Sequence, residues 1–234
     1  MEGNRGLGML FNSISFLCFF PVVVGIYFLV PKKARYLWLL FASYYFYMSQ
    51  NPGFALLLLL TTVITYASGL MLSVLSRKGK PKSDRLKKWV VFGSVFANLG
   101  ILFFCKYIPF HLLVPVGISF YTFQTLSYVI DVYRGEVEAE RNFFTYAAFI
   151  SFFPQLVAGP IERTSNLLPQ IKGEHTFHRE EAVYGLKLMA WGFFKKLVIA
   201  DNLAVYVDLV FDTPQYYPGF AMLLAAFFFT IQIY

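Results

Sequence analysis

Long apolar runs separated by short polar clusters dominate the first half of the chain. Runs over residues 10–30, 54–75 and 89–110 are each long enough to cross about 30 Å of hydrocarbon as a helix rising ~1.5 Å per residue, so each predicts a membrane span. A shorter run over 36–48 is rich in aromatic residues, and because its tyrosines suit the membrane interface, a tilted or an incompletely inserted helix is expected. A polar loop is expected over 76–88.

The pattern changes after the fourth run. Residues 114–128 are apolar but carry several hydroxyls and an amide, which favours a helix packed inside a bundle or lining a polar cavity. A mixed-charge loop is expected over 131–141. The next run, 143–157, is short for a full crossing and contains Pro154. A re-entrant or broken helix and a helix lying on the membrane surface both fit this run.

The last quarter of the chain predicts two more helices. A polar loop is expected over 162–181, and a helix that carries three lysines is expected over 182–200. A turn-rich segment over 208–218 separates this helix from a final apolar run, 219–234. The final run has no flanking charge or cap, so we expect it to continue beyond Tyr234 and the chain to be the N-terminal part of a longer domain.

Composition excludes an ordinary soluble domain. Hydrophobic residues make up 58% of the 234 residues and charged residues only 14%, whereas soluble domains are about 25% charged. The few polar residues are bunched between apolar runs, so they cannot cover a soluble core. We therefore predict an all-α, polytopic integral membrane helical bundle with re-entrant or broken helices, in which residues 1–234 form a single membrane domain.

The net charge of +7 is concentrated in two basic clusters, one over 32–35 and one over 77–88. Both lie between apolar runs, so they indicate membrane topology rather than a nucleic-acid partner. With an external N-terminus, the predicted spans place both clusters on the cytoplasmic side, as the positive-inside rule requires. Contact with lipid headgroups is compatible with this topology.

Few residues offer chemistry through their spacing alone. Cys18 and Cys105 lie in apolar runs and are expected to be buried thiols rather than a disulfide. His111 is expected at the membrane interface, and His175 and His178 form a His-x-x-His pair near glutamates. No third cluster supports this pair as metal ligands, so no metal site is expected.

Lys195, Lys196 and Asp201 have two interpretations. They form the interfacial end of a helix whose lysine stems reach toward water, or they line a site for a phosphate-bearing donor. Adjacent residues on an α-helix point about 100° apart, since a turn takes ~3.6 residues. The two lysines are therefore not expected to face one groove.

Three blocks in order resemble the membrane-bound O-acyltransferases, most closely the branch that acetylates alginate and similar bacterial polysaccharides. The first block is Leu113 to Gly135, the second is Phe152 to Arg163 and the third is Gly192 to Ala204. The opening Met9-Leu10-Phe11-Asn12-Ser13 is also similar to the start of such proteins. The resemblance covers nearly the whole chain.

The resemblance implies a multi-pass enzyme of the bacterial inner membrane. It would move an acyl group, expected to be acetyl, from a cytoplasmic thioester (acetyl-CoA or an acyl carrier) to a hydroxyl of an exported polysaccharide. It implies the lipid bilayer and an extracytoplasmic acyl-transfer protein as partners, and no permanently bound cofactor. The essential histidine of the family lies downstream of the third block. None of the three histidines here matches it, so the catalytic histidine is expected beyond Tyr234 and this chain alone is expected to be inactive.

The resemblance also suggests residues that line the substrate or donor tunnel. The candidates are Gln124, Ser127, Tyr128, Gln155, Gly159, Pro160, Lys195, Lys196 and Asp201. Packing of the helices is an equally good explanation for each of them.

A transporter or flippase subunit for a cell-envelope glycan or lipid is the alternative function. Broken helices and polar residues within the membrane are also marks of transporters. An intramembrane histidine downstream would favour the transferase, and a repeat of the first half's hydropathy would favour the transporter.

Overall fold

The structure is a computed structural model that describes residue 9 and residues 11–77, 81–107, 115, 117–156 and 159–233, with the side chains of 81 and 82 excepted. Its elements are helical, and the described residues contain no strand. The predicted all-α class is therefore confirmed. His111, the end of the fourth predicted span and the lysines at 78 and 80 lie outside the described residues.

The chain divides into two compact units, Met1–His175 and Thr176–Tyr234. The prediction of a single membrane domain stays a prediction. The helices of the first unit are α1 (Ile14–Leu29), α2 (Arg35–Met48), α3 (Pro52–Arg77), α4 (Pro81–Tyr107), α5 (Ile118–Arg134), α6 (Phe143–Ser151), the single turn α7 (Phe153–Leu156) and α8 (Thr164–Lys172). A 3₁₀ turn, Lys32–Ala34, joins α1 to α2.

The helix ends follow local sequence signals. The Ser13 hydroxyl accepts a hydrogen bond from the Phe16 backbone amide at the start of α1, and the Asn142 side chain caps α6 in the same way. Gly117 and Gly135 flank α5 with φ of 78° at each. Both helix ends therefore use the left-handed conformation that glycine adopts without strain.

Among the described residues, two helices have the length and composition of membrane spans. They are α3 and the stretch Ser83–Tyr107 within α4, which correspond to the third and fourth predicted spans. The helix α1 is also apolar but shorter, at 16 residues. These helices fit a membrane protein, as the sequence predicts.

The expectation that α2 is tilted or incompletely inserted at the membrane interface stays a prediction. This helix packs against α1, α3 and α6, and the side chains of Phe46 and Tyr47 are completely buried. Among the tyrosines of this helix, Tyr47 packs inside the unit, edge-on to Tyr121 of α5 at 6.4 Å between ring centroids, whereas Tyr45 is exposed.

Several predicted loops are partly helical. The basic loop is shorter than expected, because α3 continues to Arg77 and α4 begins at Pro81. The mixed-charge loop begins after Arg134. The polar segment 162–181 contains α8, whose residues Thr164, Leu167, Leu168 and Ile171 are buried. These positions follow the i, i+3, i+4, i+7 spacing of one helix face, which holds α8 against the first unit.

The second unit contains α9 (Arg179–Phe194), a π-helical segment (Lys195–Ala200), α10 (Asp201–Asp212) and α11 (Gly219–Ile233). The turn-rich segment begins only after Asp212, since α10 continues through the start of the region expected as a loop. Within the described part of this unit, only Val207, Val210 and Ala225 are buried. Most of its apolar side chains therefore face outward.

Candidate functional site

A break in a buried helix organises the first candidate site. The helix α6 ends at Ser151, Phe152 has non-helical backbone angles, and α7 begins one residue later. Pro154 explains the break, since a proline in a continuous helix lacks an N–H donor and its ring clashes with the carbonyl four residues earlier. The freed Phe153 amide donates to the Ser43 hydroxyl of α2 at 3.2 Å. Residues 143–156 therefore form a broken helix, one of the alternatives that the sequence left open for this run.

A cavity of about 300 Å³ lies beside this break. Residues of α1, α2, α7 and α8 surround it. Its lining residues are Phe20, Val23, Val24, Tyr27, Phe28, Leu39, Phe152, Phe153, Pro154, Leu167, Gln170, Ile171 and His175. Gln170, His175 and the hydroxyl of Tyr27 are the polar groups among these side chains, and the other ten side chains are apolar, so the cavity is suited to an apolar group.

The predicted residues near the break have distinct positions. Gln155 is 8% exposed, and its side-chain Nε2 makes no hydrogen bond within the described part of the chain. The Gly159 amide donates to the Gln155 carbonyl at 3.0 Å. A Cβ at Gly159 would lie 2.4 Å from Gln155 Cα, so this turn requires glycine. Pro160 is exposed, and residues 157 and 158 lie outside the described residues.

The predicted α5 residues lie in the packed interior. Gln124 is buried and its amide is 3.4 Å from the Phe149 carbonyl. The Tyr128 hydroxyl accepts a hydrogen bond from the Glu140 amide at 3.0 Å. Ser127 is half-buried on the same helix. None of these three residues lines the cavity beside the break, and a role in a substrate tunnel stays a prediction.

Sequence reasoning missed a polar ladder on α3. Thr61, Thr62 and Thr65 are buried, and their hydroxyls donate to backbone carbonyls within the same helix. The Tyr146 hydroxyl then donates to Thr65 Oγ1 at 2.8 Å, which links α6 to α3. The three threonines recur on one face of an otherwise apolar run, and this spacing is the sequence pattern that could have predicted a buried polar face.

Sequence reasoning also missed a carboxylate held in the interior. Glu140 is 6% exposed, forms an ion pair with Lys172 of α8 and accepts a hydrogen bond from the Asn142 amide at 2.9 Å. Glutamate is rarely buried unless it is paired. This pair therefore joins the loop after α5 to α8.

A basic cluster lies at the turn between α1 and α2. The buried Arg35 guanidinium donates to the His175 carbonyl at 2.5 Å and to the Val30 carbonyl at 3.3 Å. Lys32 forms a 2.6 Å ion pair with the exposed Glu174 carboxylate, and this hydrogen bond and charge lower the pKa of Glu174. Two basic residues thus fasten the segment after α8 to the α1–α2 turn.

The second candidate site is in the other unit, at the π-helical segment. Lys196 Nζ lies 2.5 Å from Asp201 Oδ1, and the Asn202 amide donates to the Val198 carbonyl at 2.8 Å. The π-helix is rare and often marks functional sites. Its wider turn changes the direction of successive side chains relative to an α-helix.

A hollow of about 440 Å³ adjoins this segment. Its lining residues are Trp191, Gly192, Lys195, Lys196, Ile199, Ala200, Ile231, Gln232 and Ile233. Lys195 and Lys196 both line this hollow, and the depth of their helix in the membrane stays a prediction. The buried Gln232 Oε1 accepts no hydrogen bond from the described residues. The hollow therefore combines cationic groups and an amide acceptor with apolar walls.

The histidines and cysteines among the described residues do not come together as a metal site. His175 Nε2 lies 2.7 Å from the Gln170 carbonyl, and His178 Nε2 lies 2.8 Å from the Thr176 hydroxyl. Both histidines are exposed. Within the described ranges, no group of three metal-binding side chains occurs. Cys18 is exposed rather than buried, because it lies on the outer face of α1, and Cys105 is half-buried.

The chain is similar to curated bacterial O-acetylases over nearly its whole length. It is 37% identical over 232 residues to a probable alginate O-acetylase of Pseudomonas fluorescens, an alignment that covers 97% of this chain and 46% of that protein. The corresponding protein of Pseudomonas putida is 36% identical over 248 residues, with 97% and 50% covered. A peptidoglycan O-acetyltransferase of Helicobacter pylori is 31% identical over 252 residues, with 87% and 47% covered.

These relatives confirm the resemblance to the alginate O-acetylase branch of the membrane-bound O-acyltransferases. The chain spans about half the length of the curated relatives it matches. No family model matches the chain. No solved structure matches it with significance.

Proposed function

From this relationship to the membrane-bound O-acyltransferases, we propose that the complete protein is a membrane-embedded enzyme that transfers an acetyl group to a hydroxyl of an exported polysaccharide. The observation that carries the proposal is the similarity to named alginate and peptidoglycan O-acetyltransferases over 87–97% of the chain. The donor is a thioester, acetyl-CoA or an acetylated carrier, that reaches the enzyme from the cytoplasmic side of the inner membrane.

The reaction needs a base, a site for the donor and exclusion of water. The acceptor oxygen attacks the thioester carbonyl, a C–O bond forms, and the C–S bond breaks. A histidine downstream of Tyr234 takes the hydroxyl proton and returns it to the departing thiolate. A site poor in water limits hydrolysis of the donor.

The hollow at the π-helical segment is our candidate for donor contact within this chain. Lys196 and the adjacent Lys195 place positive charge at its wall, and lysine is a common ligand for phosphate groups. The Gln232 carbonyl oxygen offers an acceptor for an amide N–H of a pantetheine arm. Asp201 holds Lys196 in position through their ion pair.

The broken helix supports the same proposal from the first unit. A buried amide without a described partner at Gln155 and a turn that only glycine fits at Gly159 are features that a plain packing contact does not require. In this proposal they shape the part of the enzyme that admits the acceptor. Gln124 and Tyr128 support that region by joining α5 to its neighbours, and Ser127 lies on the same helix.

The test is acetyl transfer from radiolabelled acetyl-CoA to the endogenous polysaccharide in membranes that hold the full-length protein. Wild type should transfer label, and an alanine variant of the downstream histidine should not. Equal transfer by the two proteins would contradict the proposed base, and no transfer by wild type would contradict the proposed reaction.

Lys196→Gln tests the donor site. Loss of a charge-assisted hydrogen bond costs ~1.5–3 kcal/mol, so the KM for the donor should rise about tenfold or more with a smaller change in kcat. Lys187→Gln is the matched control, because Lys187 is also an exposed lysine of this unit, on α9, and lies away from the hollow's lining. Equal KM values for the two variants would show that the donor does not bind at this hollow.

A further inference from the structure

The cavity beside the helix break has a charged group at its edge that its apolar lining does not explain. Tyr27 and Phe28 line the cavity, and the Arg35 guanidinium carbon lies 4.9 Å and 5.5 Å from their ring centroids. Arg35 also donates to the carbonyl of His175, another lining residue. An arginine is thus fixed where an apolar cavity meets the basic α1–α2 turn.

We propose that this cavity holds an acyl chain of an anionic phospholipid whose phosphate binds Arg35. The cavity belongs to the first unit, and the proposal does not depend on the acyl-transfer reaction. The lipid would occupy the side of the membrane that the α1–α2 turn faces.

The charges at the edge of the cavity favour an anionic headgroup. Lys32 is matched by Glu174, and Lys172 is matched by Glu140. For Lys33 and Arg35, the described residues provide no ion pair. Arginine has five N–H donors in a planar fork that suits phosphate oxygens, and the two described hydrogen bonds of Arg35 use only Nε and Nη1.

The walls of the cavity favour a hydrocarbon chain. Eleven of the thirteen lining side chains are apolar or aromatic, and the volume of about 300 Å³ lies at the lower end for ligand sites. The break at Phe152 prevents a straight α6–α7 helix from filling this space. A coenzyme A thioester carries several amides and hydroxyls that would find few partners here, so a lipid chain is the better match.

Native mass spectrometry of the full-length detergent-solubilised protein tests the proposal. Phosphatidylglycerol and phosphatidylcholine with identical acyl chains are titrated in parallel. Wild type should retain one phosphatidylglycerol in preference to phosphatidylcholine. Val24→Phe fills the cavity and should weaken retention about tenfold, the effect of excluding one or two methylene groups.

The matched control is Val63→Phe, an equal change at an exposed position of α3, which should retain lipid as wild type does. Arg35→Gln should abolish the preference for phosphatidylglycerol while phosphatidylcholine still binds. Val24→Leu fills less of the cavity than Val24→Phe. If Arg35→Gln or Val24→Phe lowers the melting temperature sharply, lipid retention by Val24→Leu is compared with that of Val63→Phe instead.

Three results would overturn the proposal. They are equal retention by the Val24 and Val63 variants, equal binding of the two lipids by wild type, and displacement of the retained lipid by saturating acetyl-CoA. The last result would assign the cavity to the donor. Because lipid retention is measured without turnover, an inactive but lipid-selective protein would contradict only the acyl-transfer proposal.

Discussion

The two units of the chain use polar residues in opposite ways. In the first unit, polar side chains such as Thr65, Tyr146 and Glu140 are buried and pair with other parts of the same unit. In the second unit, the ion pair of Lys196 and Asp201 lies at an accessible hollow. These buried polar groups of the first unit therefore fix helix packing, whereas the ion pair of the second unit lies at an accessible surface.

This difference separates stability from function within one sequence. Removing a polar partner in the first unit should destabilise the protein, because a buried donor or acceptor is left without a partner. Removing a polar group at the hollow of the second unit should chiefly affect donor binding, as argued for Lys196→Gln. The following predictions test the first half of that comparison.

The largest effect is expected at Gly69. A Cβ there would lie 2.7 Å from the Tyr128 hydroxyl oxygen and 2.8 Å from its ring carbon Cε1, and Tyr128 is completely buried. Gly69→Ala should therefore lower the free energy of unfolding by about 1–3 kcal/mol through overpacking. Thermal unfolding in detergent measures the change.

Gly93→Ala in α4 is the control for that substitution, since nothing lies within 4 Å of a Cβ at this position. It should be neutral or stabilise the protein by roughly 0.5–1 kcal/mol, because alanine is the better helix former. A Gly69→Ala protein as stable as the Gly93→Ala protein would show that the α3–α5 contact is not fixed by Tyr128.

Lys172→Met should have the next largest effect. It leaves the buried Glu140 carboxylate without its ion-pair partner. A hydrogen bond to a charged group contributes about 1.5–3 kcal/mol, and because Lys172 is half-exposed and screened by solvent, the loss should be about 1.5 kcal/mol, at the lower end of that range. Lys88→Met changes an exposed lysine of α4 and should have little effect on unfolding. Equal stability of the two variants would show that the ion pair of Glu140 and Lys172 does not stabilise this unit.

The sequence predicts the long helices well and the short ones poorly. The apolar runs locate α1 to α4 within a few residues, apart from the early start of α4 at Pro81, because spanning length is a local property. The sequence pattern does not predict the buried face of α8, since its four apolar or hydroxyl positions lie within a polar segment. Only docking against the rest of the unit identifies that face.

The sequence also predicts some features of the candidate site residues and not others. The hydroxyls and amide of α5 correctly indicate a helix packed inside the protein, and Gln124 and Tyr128 are buried. Which cavity a buried side chain faces depends on neighbouring helices that spacing does not reveal. The π-helical segment was also not predictable, because its residues suit an α-helix equally well, and that register alone brings Lys195 and Lys196 to one hollow.

A smaller effect is expected from Tyr146→Phe. The substitution removes the 2.8 Å hydrogen bond to Thr65 and leaves the ring packing intact. Hydrogen bonds between membrane helices contribute about 0.6 kcal/mol on average, so the loss should be below ~1.5 kcal/mol. Tyr45→Phe, at an exposed tyrosine of α2, is the control. A larger loss of unfolding free energy in the control would show that the hydrogen bond between Tyr146 and Thr65 does not stabilise the α3–α6 contact.

The smallest effect is a pH dependence at the Lys32–Glu174 pair. Because the pKa of Glu174 is lowered in the folded protein, the pair stabilises the segment after α8 at and above the ordinary carboxyl pKa. This contribution is lost as pH falls below the ordinary carboxyl pKa and through the lowered pKa of Glu174. A nitroxide attached at Thr176→Cys, with Cys18 and Cys105 replaced by alanine, should become more mobile in that window. With Glu174→Gln the label should show the same mobility at every pH, whereas a pH response that persists in this variant would place the titrating group elsewhere.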